Sequence, residues 1–257
     1  DDDLWEAYQD AGGELSRGDW RRKAVNDFVE NLYSEIKSEK PHVKFGISPF
    51  GIYRPGYPET IQGFDQFEEL YADVRLWLEA GWVDYYTPQL YWPIAQIPQS
   101  YPILLQWWDD ANVMNRNLWP GTSIGRAGEN PEGSKEILNQ IQINRALLGD
   151  TAGVVMFSMK VLMSDKSPLP EDLQNGPFKN KALVPPSPWL DAVPPAAPSA
   201  GIQKDGNDIT LTINPPVAEE PFLYVVYSER GNSWDYEIIS ADEPTMTMQS
   251  GGTRTIT

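Results

Sequence analysis

Two apolar runs that become polar and aromatic at their carboxyl ends constrain the fold of this chain most strongly. The first run is Val43–Pro55 and the second is Val83–Trp92. Each run follows a stretch with apolar residues at helical spacing, and each opens into a loop. Parallel α/β barrels show this pattern, because they place their functional sites at the carboxyl ends of their strands. The sequence therefore predicts a parallel α/β architecture with a site at the ends of these runs.

Four helix–strand units follow one another along the chain. The predicted helices begin near Asp19, Asp65, Tyr101 and Ser134, and the second of them is expected to continue to Glu79. The predicted strands are Val43–Phe50, Val83–Leu90, Leu118–Ser123 and Gly153–Lys160. Such alternation predicts a parallel sheet. Ser16 and Asp19 fit a capping box at the start of the first helix, and the segment before it, to about Gly18, is predicted to be a loop.

The sequence pattern changes after residue 184. Residues 185–199 are rich in proline and are predicted to form a stiff, extended linker between an α/β unit (residues 1–184) and residues 200–257. Apolar residues alternate with period two beyond the linker, which predicts a small all-β sandwich similar to a fibronectin type III module. About 60 residues are few for a domain of roughly 100. Because the chain also begins abruptly at Asp1, we expect both ends to lie within a longer protein.

Composition disfavours several classes of function. The chain has 257 residues and a formal net charge of -17. This charge disfavours binding to the phosphates of nucleic acid and of anionic membranes. The chain has no cysteine and one histidine, His42, so thiolate sites and histidine metal clusters are excluded. His42 precedes a strand at its amino end, away from the predicted site, which disfavours a general base and a Ser-His-Asp triad. We expect no metal and no cofactor. No apolar run is long enough to cross a bilayer, so no membrane insertion is expected.

Strand parity predicts which side chains face the site. On the second run the predicted site face carries Val83, Tyr85, Thr87, Gln89 and Tyr91, and the opposite face carries Tyr86, Pro88 and Leu90. The same alternation assigns to the site face Gly46, Ser48 and Phe50 of the first strand, and Val154, Met156, Ser158 and Lys160 of the last. A slip of one residue would reverse each assignment.

A carbohydrate site needs aromatic platforms beside amides, hydroxyls and cations, because sugars present apolar faces and hydroxyl edges. The candidate substrate-binding residues are Ser48, Tyr53, Arg54, Gln89, Tyr91, Trp92, Ser158 and Lys160. Arg54 could instead hold its loop by pairing with Glu59 or Asp65. Four other tryptophans are predicted to pack helices against strands, namely Trp77, Trp82, Trp107 and Trp108.

Several longer phrases are distinctive, namely Leu15–Arg22, Phe45–Ile52, Pro88–Pro93, Phe157–Lys160, Ala182–Pro185 and Pro188–Asp191. They resemble the glycosyl-hydrolase-like ten family, a group of bacterial extracytoplasmic glycoside hydrolases. The resemblance implies that the four strands are the last four of a (β/α)8 TIM barrel, whose first half precedes Asp1. It also implies an extracytoplasmic protein acting on a polysaccharide such as peptidoglycan. Pairing with the missing amino-terminal half, or with a second copy, would cover the two open sheet edges.

Glycoside hydrolysis normally requires two carboxyl groups that flank the scissile bond. No predicted strand ends in an acidic residue. The predicted loops contain acidic residues that we expect to be solvated and not catalytic, namely Glu59, Asp65, Glu129, Glu132 and Asp165. In the resembled family paired aspartates lie upstream, which implies that the catalytic acids lie outside this chain. Two readings stay open: a glycoside hydrolase to which this chain supplies sugar contacts, and a non-catalytic carbohydrate-binding or envelope scaffold protein. A third and weaker hypothesis is a surface adhesion protein.

Overall fold

The computed structural model describes residues 1–125, 130–217, 220–230, 232–249 and 253–256. The chain forms two compact units, Asp1–Asp191 and Ala192–Thr257. The first unit mixes helices with short strands, and the elements described in the second unit are all strands. None of the described helices is both long and apolar enough to cross a membrane.

The helices of the first unit lie between, before and after its strands. The α-helices in the described ranges are α1 (Asp2–Asp10), α2 (Arg17–Glu39), α3 (Gln66–Glu69), α4 (Val74–Glu79), α5 (Tyr101–Ala111), α6 (Pro131–Leu148), α7 (Met159–Leu162) and α8 (Leu169–Asn175). The strands are β1 (Gly46–Ile47), β2 (Tyr85–Tyr86), β3 (Asn117–Leu118), β4 (Gly121–Ser123) and β5 (Val155–Phe157).

The strands of the first unit are parallel and neighbour one another in chain order. Strand β2 pairs with β1 on one side and with β3 on the other, and β4 pairs with β5. Two parallel bridges, Phe50 to Gln89 and Gln89 to Gly121, continue this pairing beyond the ends of β1 and β2. The parallel arrangement predicted from the helix–strand alternation is therefore confirmed.

The start of the chain is a helix, so the prediction of a loop there was wrong. The rings of Trp5 and Tyr8 on α1 pack against Trp20 of α2, with centroid distances of 5.4 and 6.0 Å. Asp1 at the start of α1 also pairs with Arg17 and Arg21 of α2. Tertiary packing thus stabilises α1, whose end at Asp10 lies before Gly12 and Gly13. The predicted cap is confirmed, because the Ser16 Oγ accepts the backbone N–H of Asp19 at 3.1 Å.

The second predicted helix is two short helices, so the prediction of one continuous helix was wrong. Asp65 caps α3 by accepting the Glu68 backbone N–H, and Asp73 caps α4 by accepting that of Leu76. Between them Leu70 is 54% exposed. Each aspartate accepts a free backbone N–H at a new helix start. The helix therefore ends and a second one begins where the apolar pattern alone predicted one continuous helix.

Helices cover one face of the parallel strands. Tyr86 and Leu90 are fully buried on this face. The Tyr86 hydroxyl donates to the backbone carbonyl of Val74 at 2.6 Å, and its ring packs against Trp108 at 5.5 Å. The predicted parity is therefore confirmed for Tyr86 and Leu90, whereas Val83, which was assigned to the site face, is fully buried in the same core. The packing role predicted for four tryptophans is also confirmed. Trp77 and Trp108 are buried in this core, and Trp82 and Trp107 are partly buried against it.

Two aromatic rings lie across the opposite face of the sheet. Tyr85 and Trp119 stack at 5.2 Å with an interplanar angle of 24°. A Cβ at Gly46 would lie 2.2 Å from the Tyr85 ring, and one at Gly153 would lie 2.4 Å from the Trp119 ring. The two glycines on the outer strands therefore make room for the two rings on the inner ones.

A fully buried carboxylate, Asp84, joins four segments of the first unit. Its Oδ2 accepts the backbone N–H of Phe45 at 2.7 Å and the Lys37 ammonium. Its Oδ1 accepts the Tyr33 hydroxyl at 3.2 Å and the Trp189 indole N–H at 2.9 Å. Helix α2, the start of the first strand region and the segment that ends this unit thus meet at one side chain. Burial, together with the nearby Asp84 charge, raises the pKa of Tyr33.

The second unit is a pair of three-stranded antiparallel sheets within its described residues. Its strands are β6 (Ser199–Asp205), β7 (Asp208–Asn214), β8 (Leu223–Arg230), β9 (Ser233–Ser240), β10 (Thr245–Gln249) and β11 (Thr253–Ile256). One sheet has the order β10-β7-β6 and the other has the order β11-β8-β9. Their shared core is Leu211, Ile213, Tyr224, Val226 and Met246.

We expect Asp84→Asn to lower the free energy of unfolding of the first unit by about 3 kcal/mol, because it leaves Lys37 without its counter-charge and turns an amide N–H₂ toward other donors. Urea unfolding followed by tryptophan fluorescence measures this directly, since nine of the ten tryptophans lie within residues 1–191.

Asp27→Asn is the matched control, because it removes a carboxylate from the exposed pair with Lys23 on α2. Its effect should stay within about 0.5 kcal/mol. Equal effects of the two substitutions would contradict the role assigned to Asp84.

Candidate functional site

The carboxyl ends of the strands are aligned through Gln89. The backbone of Gln89 bridges to Phe50 on one side and to Gly121 on the other. Its side-chain amide donates to the Ser48 carbonyl at 3.1 Å and approaches the Ser48 Oγ at 3.4 Å. The structure therefore brings together two of the residues predicted for the site, an exposed hydroxyl and a half-buried amide.

An aromatic pair stands beside this rim. The rings of Tyr91 and Phe157 stack with a centroid distance of 5.9 Å and an interplanar angle of 25°. A Cβ at Gly121 would lie 3.3 Å from the Tyr91 ring, so the glycine lets the ring lie close to the backbone of the neighbouring strand. Burial raises the pKa of the Tyr91 phenol, and the hydroxyl, which is protonated at neutral pH as in any tyrosine, can donate a hydrogen bond.

The aromatic pair forms one wall of an open cavity of about 730 Å³. Three of the predicted site residues, Tyr91, Ser158 and Lys160, line it. Sequence reasoning missed the other side chains of the lining, which are Ser123, Phe157, Val161, Ser164, Lys166 and Ser167. The sequence did contain a signal for Ser123 and Phe157, because both lie at the carboxyl ends of predicted strands. It contained none for residues 161–167, which reach the cavity through the turn of α7.

The parity predicted for the last strand was wrong. Val154 and Met156 pack toward the helices with Ile137, whereas Val155 and Phe157 on the other face are 42% and 62% exposed. Ser158 and Lys160 still reach the cavity, because they belong to the turn and short helix that follow β5 and not to the strand itself. A polar pattern that continues past the end of a strand cannot fix the strand's parity.

Tyr53 is a packing residue. Its side chain is 9% exposed, and its ring stacks on Trp107 of α5 at 5.5 Å with an interplanar angle of 17°. Burial, the nearby Asp73 carboxylate and its hydrogen bond raise the pKa of the phenol to about 12. The chain turns back onto α5 directly after the first strand region, which takes this ring away from the rim.

Arg54 holds its own loop. Its guanidinium pairs with Asp65 at 3.3 Å and with Glu68 at 3.0 Å, and it lies 4.4 Å from the centroid of the Phe67 ring. The alternative left open by the sequence, a loop-holding role, is therefore the one that the contacts support. Glu68 takes the place of Glu59 as the second partner.

Trp92 is half-buried at the edge of the rim. Its ring packs edge-on against Phe50 with a centroid distance of 5.5 Å. The Gln140 amide donates to its backbone carbonyl at 3.3 Å, and the Glu136 carboxylate accepts the backbone N–H of Ile94 at 2.8 Å. Helix α6 thus fixes the loop that carries Trp92, and this tryptophan does not line the cavity.

Carboxylates are not part of the described cavity wall. Glu59 and Asp165 are exposed, Asp65 pairs with Arg54, and Glu132 pairs with Lys135. Glu129, the remaining loop acid considered from the sequence, lies outside the described residues. Across the described ranges no group of three or more acids or histidines is placed to hold a metal ion.

Residues 3–126 match the family described as Glycosyl hydrolase-like 10. Glycosyl hydrolase YngK of Bacillus subtilis (strain 168) is 35% identical over 229 residues, which cover 83% of this chain and 44% of that protein. Glycosyl hydrolase DigH of Escherichia coli (strain K12) is 33% identical over 167 residues, which cover 59% of this chain and 38% of that protein. The chain thus spans less than half the length of either relative. These similarities confirm the family resemblance over the matched stretch.

We expect Arg54→Gln to lower the free energy of unfolding by about 1 kcal/mol, because it removes two ion pairs and a cation–π contact that are half-buried. The affinity for polysaccharide should be unchanged. Lys23→Gln, which breaks an exposed pair on α2, serves as the control and should change stability by less than about 0.5 kcal/mol. Weaker sugar binding without a change in the urea midpoint would place Arg54 in the site after all.

Proposed function

We propose that this chain supplies the sugar-binding part of a glycoside hydrolase that acts on a bacterial cell-wall or related polysaccharide. The observation that carries the proposal is the cavity at the carboxyl ends of the strands, with Tyr91 stacked on Phe157 at its wall. Function-bearing residues of α/β barrels lie at this end of the strands. The match to the family model covers the strands up to β4.

The chemistry of the cavity suits a sugar. An aromatic face can pack against the apolar face of a pyranose ring, as in other contacts of aromatic side chains. Hydroxyl groups of Ser123, Ser158 and Ser164 surround the aromatic pair and can exchange hydrogen bonds with sugar hydroxyls. Such a wall, apolar at one side with a few polar groups around it, is typical of ligand sites.

The first unit is proposed to be the second half of a (β/α)8 TIM barrel. Its strands run parallel in chain order, and an eight-stranded barrel typically needs about 250 residues. The exposed side chains of Val155 and Phe157 on the face away from the helices would then lie inside the complete barrel. The partner that closes this face is the amino-terminal barrel half or, as the alternative, a second copy of the chain.

The remaining features of the proposal concern the setting of the enzyme. The protein is proposed to be extracytoplasmic, where its polysaccharide substrate lies. The second unit is proposed to be a fibronectin type III-like module, on the basis of its two antiparallel sheets and their common core. The catalytic carboxylates are proposed to lie on the part of the barrel that this chain does not contain.

The alternative is a non-catalytic carbohydrate-binding or envelope scaffold protein with a hydrolase-like fold. The observation that favours it is the lack of a carboxylate in the described wall of the cavity, because glycoside hydrolysis uses two such groups. Fold alone does not separate the two functions. Turnover of the glycan by a protein that contains both barrel halves separates them, because only the proposed hydrolase would cleave it.

We expect Tyr91→Ala to weaken binding to peptide-free peptidoglycan glycan strands about tenfold, because it removes one half of the aromatic wall. Co-sedimentation or calorimetry with the purified chain measures the affinity. Phe28→Ala is the matched control, since Phe28 is an exposed aromatic residue on α2 and its removal should leave the affinity unchanged.

Mass spectrometry of the glycan after incubation shows whether the chain also cleaves it. Cleavage by the chain itself would contradict the placement of the catalytic acids outside it. Equal affinities of the wild type, Tyr91→Ala and Phe28→Ala would contradict the assignment of the cavity as the sugar site.

A further inference from the structure

The charge of the cavity is opposite to the charge of the chain. The sequence has 37 acidic and 20 basic residues, yet the described lining of the cavity includes Lys160 and Lys166 and no carboxylate. Asp165, which lies between the lining residues Ser164 and Lys166 in the sequence, is exposed and does not line the cavity. A concave wall with cations only attracts anions locally, whatever the sign of the total charge.

The two ammonium groups are available to a ligand. In the part of the chain that the structure describes, neither lysine takes part in the ion pairs, which involve other cations. Both side chains are exposed and belong to the segment that begins after β5. By contrast, Lys37 is paired with Asp84 and Arg54 is paired with Asp65.

We propose that Lys160 and Lys166 select a sugar that carries a carboxylate, and that they do so while its ring packs against Tyr91 and Phe157. An ammonium-to-carboxylate hydrogen bond is stronger than one between neutral groups. The hydroxyls of Ser158 and Ser164 lie in the same wall and complete the polar contacts. This inference rests on the proposed function and goes beyond it, because it assigns the specificity for an acidic sugar to two named residues.

The test compares two glycans that differ only at the lactyl group, which is charged in one and neutral in the other. The first probe is peptide-free peptidoglycan glycan strands with their lactyl carboxylates free, and the second is the same strands with those carboxylates converted to methyl amides. Both are titrated into the full 257-residue chain, as the wild type, Lys160→Gln, Lys166→Gln and the double variant. Lys135→Gln is the matched control, because Lys135 is an exposed lysine of α6 that pairs with Glu132 outside the cavity.

The wild type is expected to bind the carboxylated strands about tenfold more tightly than the amidated ones, and the double variant should bind both equally. The preference should weaken as the salt concentration rises. Lys135→Gln should keep the full preference, and the arginine variants Lys160→Arg and Lys166→Arg should keep most of it.

Three results would overturn the inference, and they differ in what they say about the proposed function. Equal binding of both glycans by the wild type would remove the charge selection but leave a sugar site. Equal losses for both glycans in the lysine variants would mean that the lysines maintain the wall and do not recognise the carboxylate. Binding of neither glycan by the wild type would contradict the proposed function itself.

Discussion

The buried carboxylate of Asp84 is the interaction on which the first unit depends. A charge without contact with water is tolerated only if hydrogen bonds and a counter-charge surround it. Asp84 receives both, from Tyr33 and Lys37 of α2, from the backbone at Phe45 and from the indole of Trp189. These groups come from segments far apart in sequence, so the carboxylate fixes their relative positions at the amino ends of the strands.

We propose that the opposite ends of the strands bind the ligand. At the amino ends, Arg116 also lies 4.7 Å from the centroid of the Trp189 ring and donates to the Gly81 carbonyl, which reinforces the same closure. At the carboxyl ends the side chains are exposed or half-buried, and the cavity opens between Tyr91 and the segment after β5. In α/β barrels generally, residues at the amino ends of the strands stabilise the fold and residues at the carboxyl ends carry the function.

Sequence patterns predicted the architecture where a local signal was sufficient. The capping box at Ser16, the buried parity of Tyr86 and Leu90, and the parallel arrangement of the strands followed from spacing alone. The helix α1 did not, because its stability comes from the stacking of Trp5 and Tyr8 with a later tryptophan.

The site itself was only partly predictable from the sequence. Gln89 and Tyr91 follow directly from the end of a strand, and the structure places them at the rim. Tyr53 stands just as close to a strand end in sequence, but its loop turns back onto α5. Lys166 is eight residues beyond Ser158 and reaches the cavity only through the fold of that segment, and Asp84 could be recognised as the anchor only after its partners were brought together.

The central proposal is that a sugar ring packs against Tyr91 and Phe157 in one cavity, with Lys160 and Lys166 beside it. The most direct test is a crystal structure of the chain with an oligosaccharide prepared from peptide-free peptidoglycan glycan strands. We expect a pyranose ring packed against the Tyr91–Phe157 pair, with a carboxylate oxygen within hydrogen-bond distance of a lysine ammonium. A sugar bound elsewhere, such as in the shallow apolar groove beside Trp107 and Ile103, with this cavity empty, would contradict it.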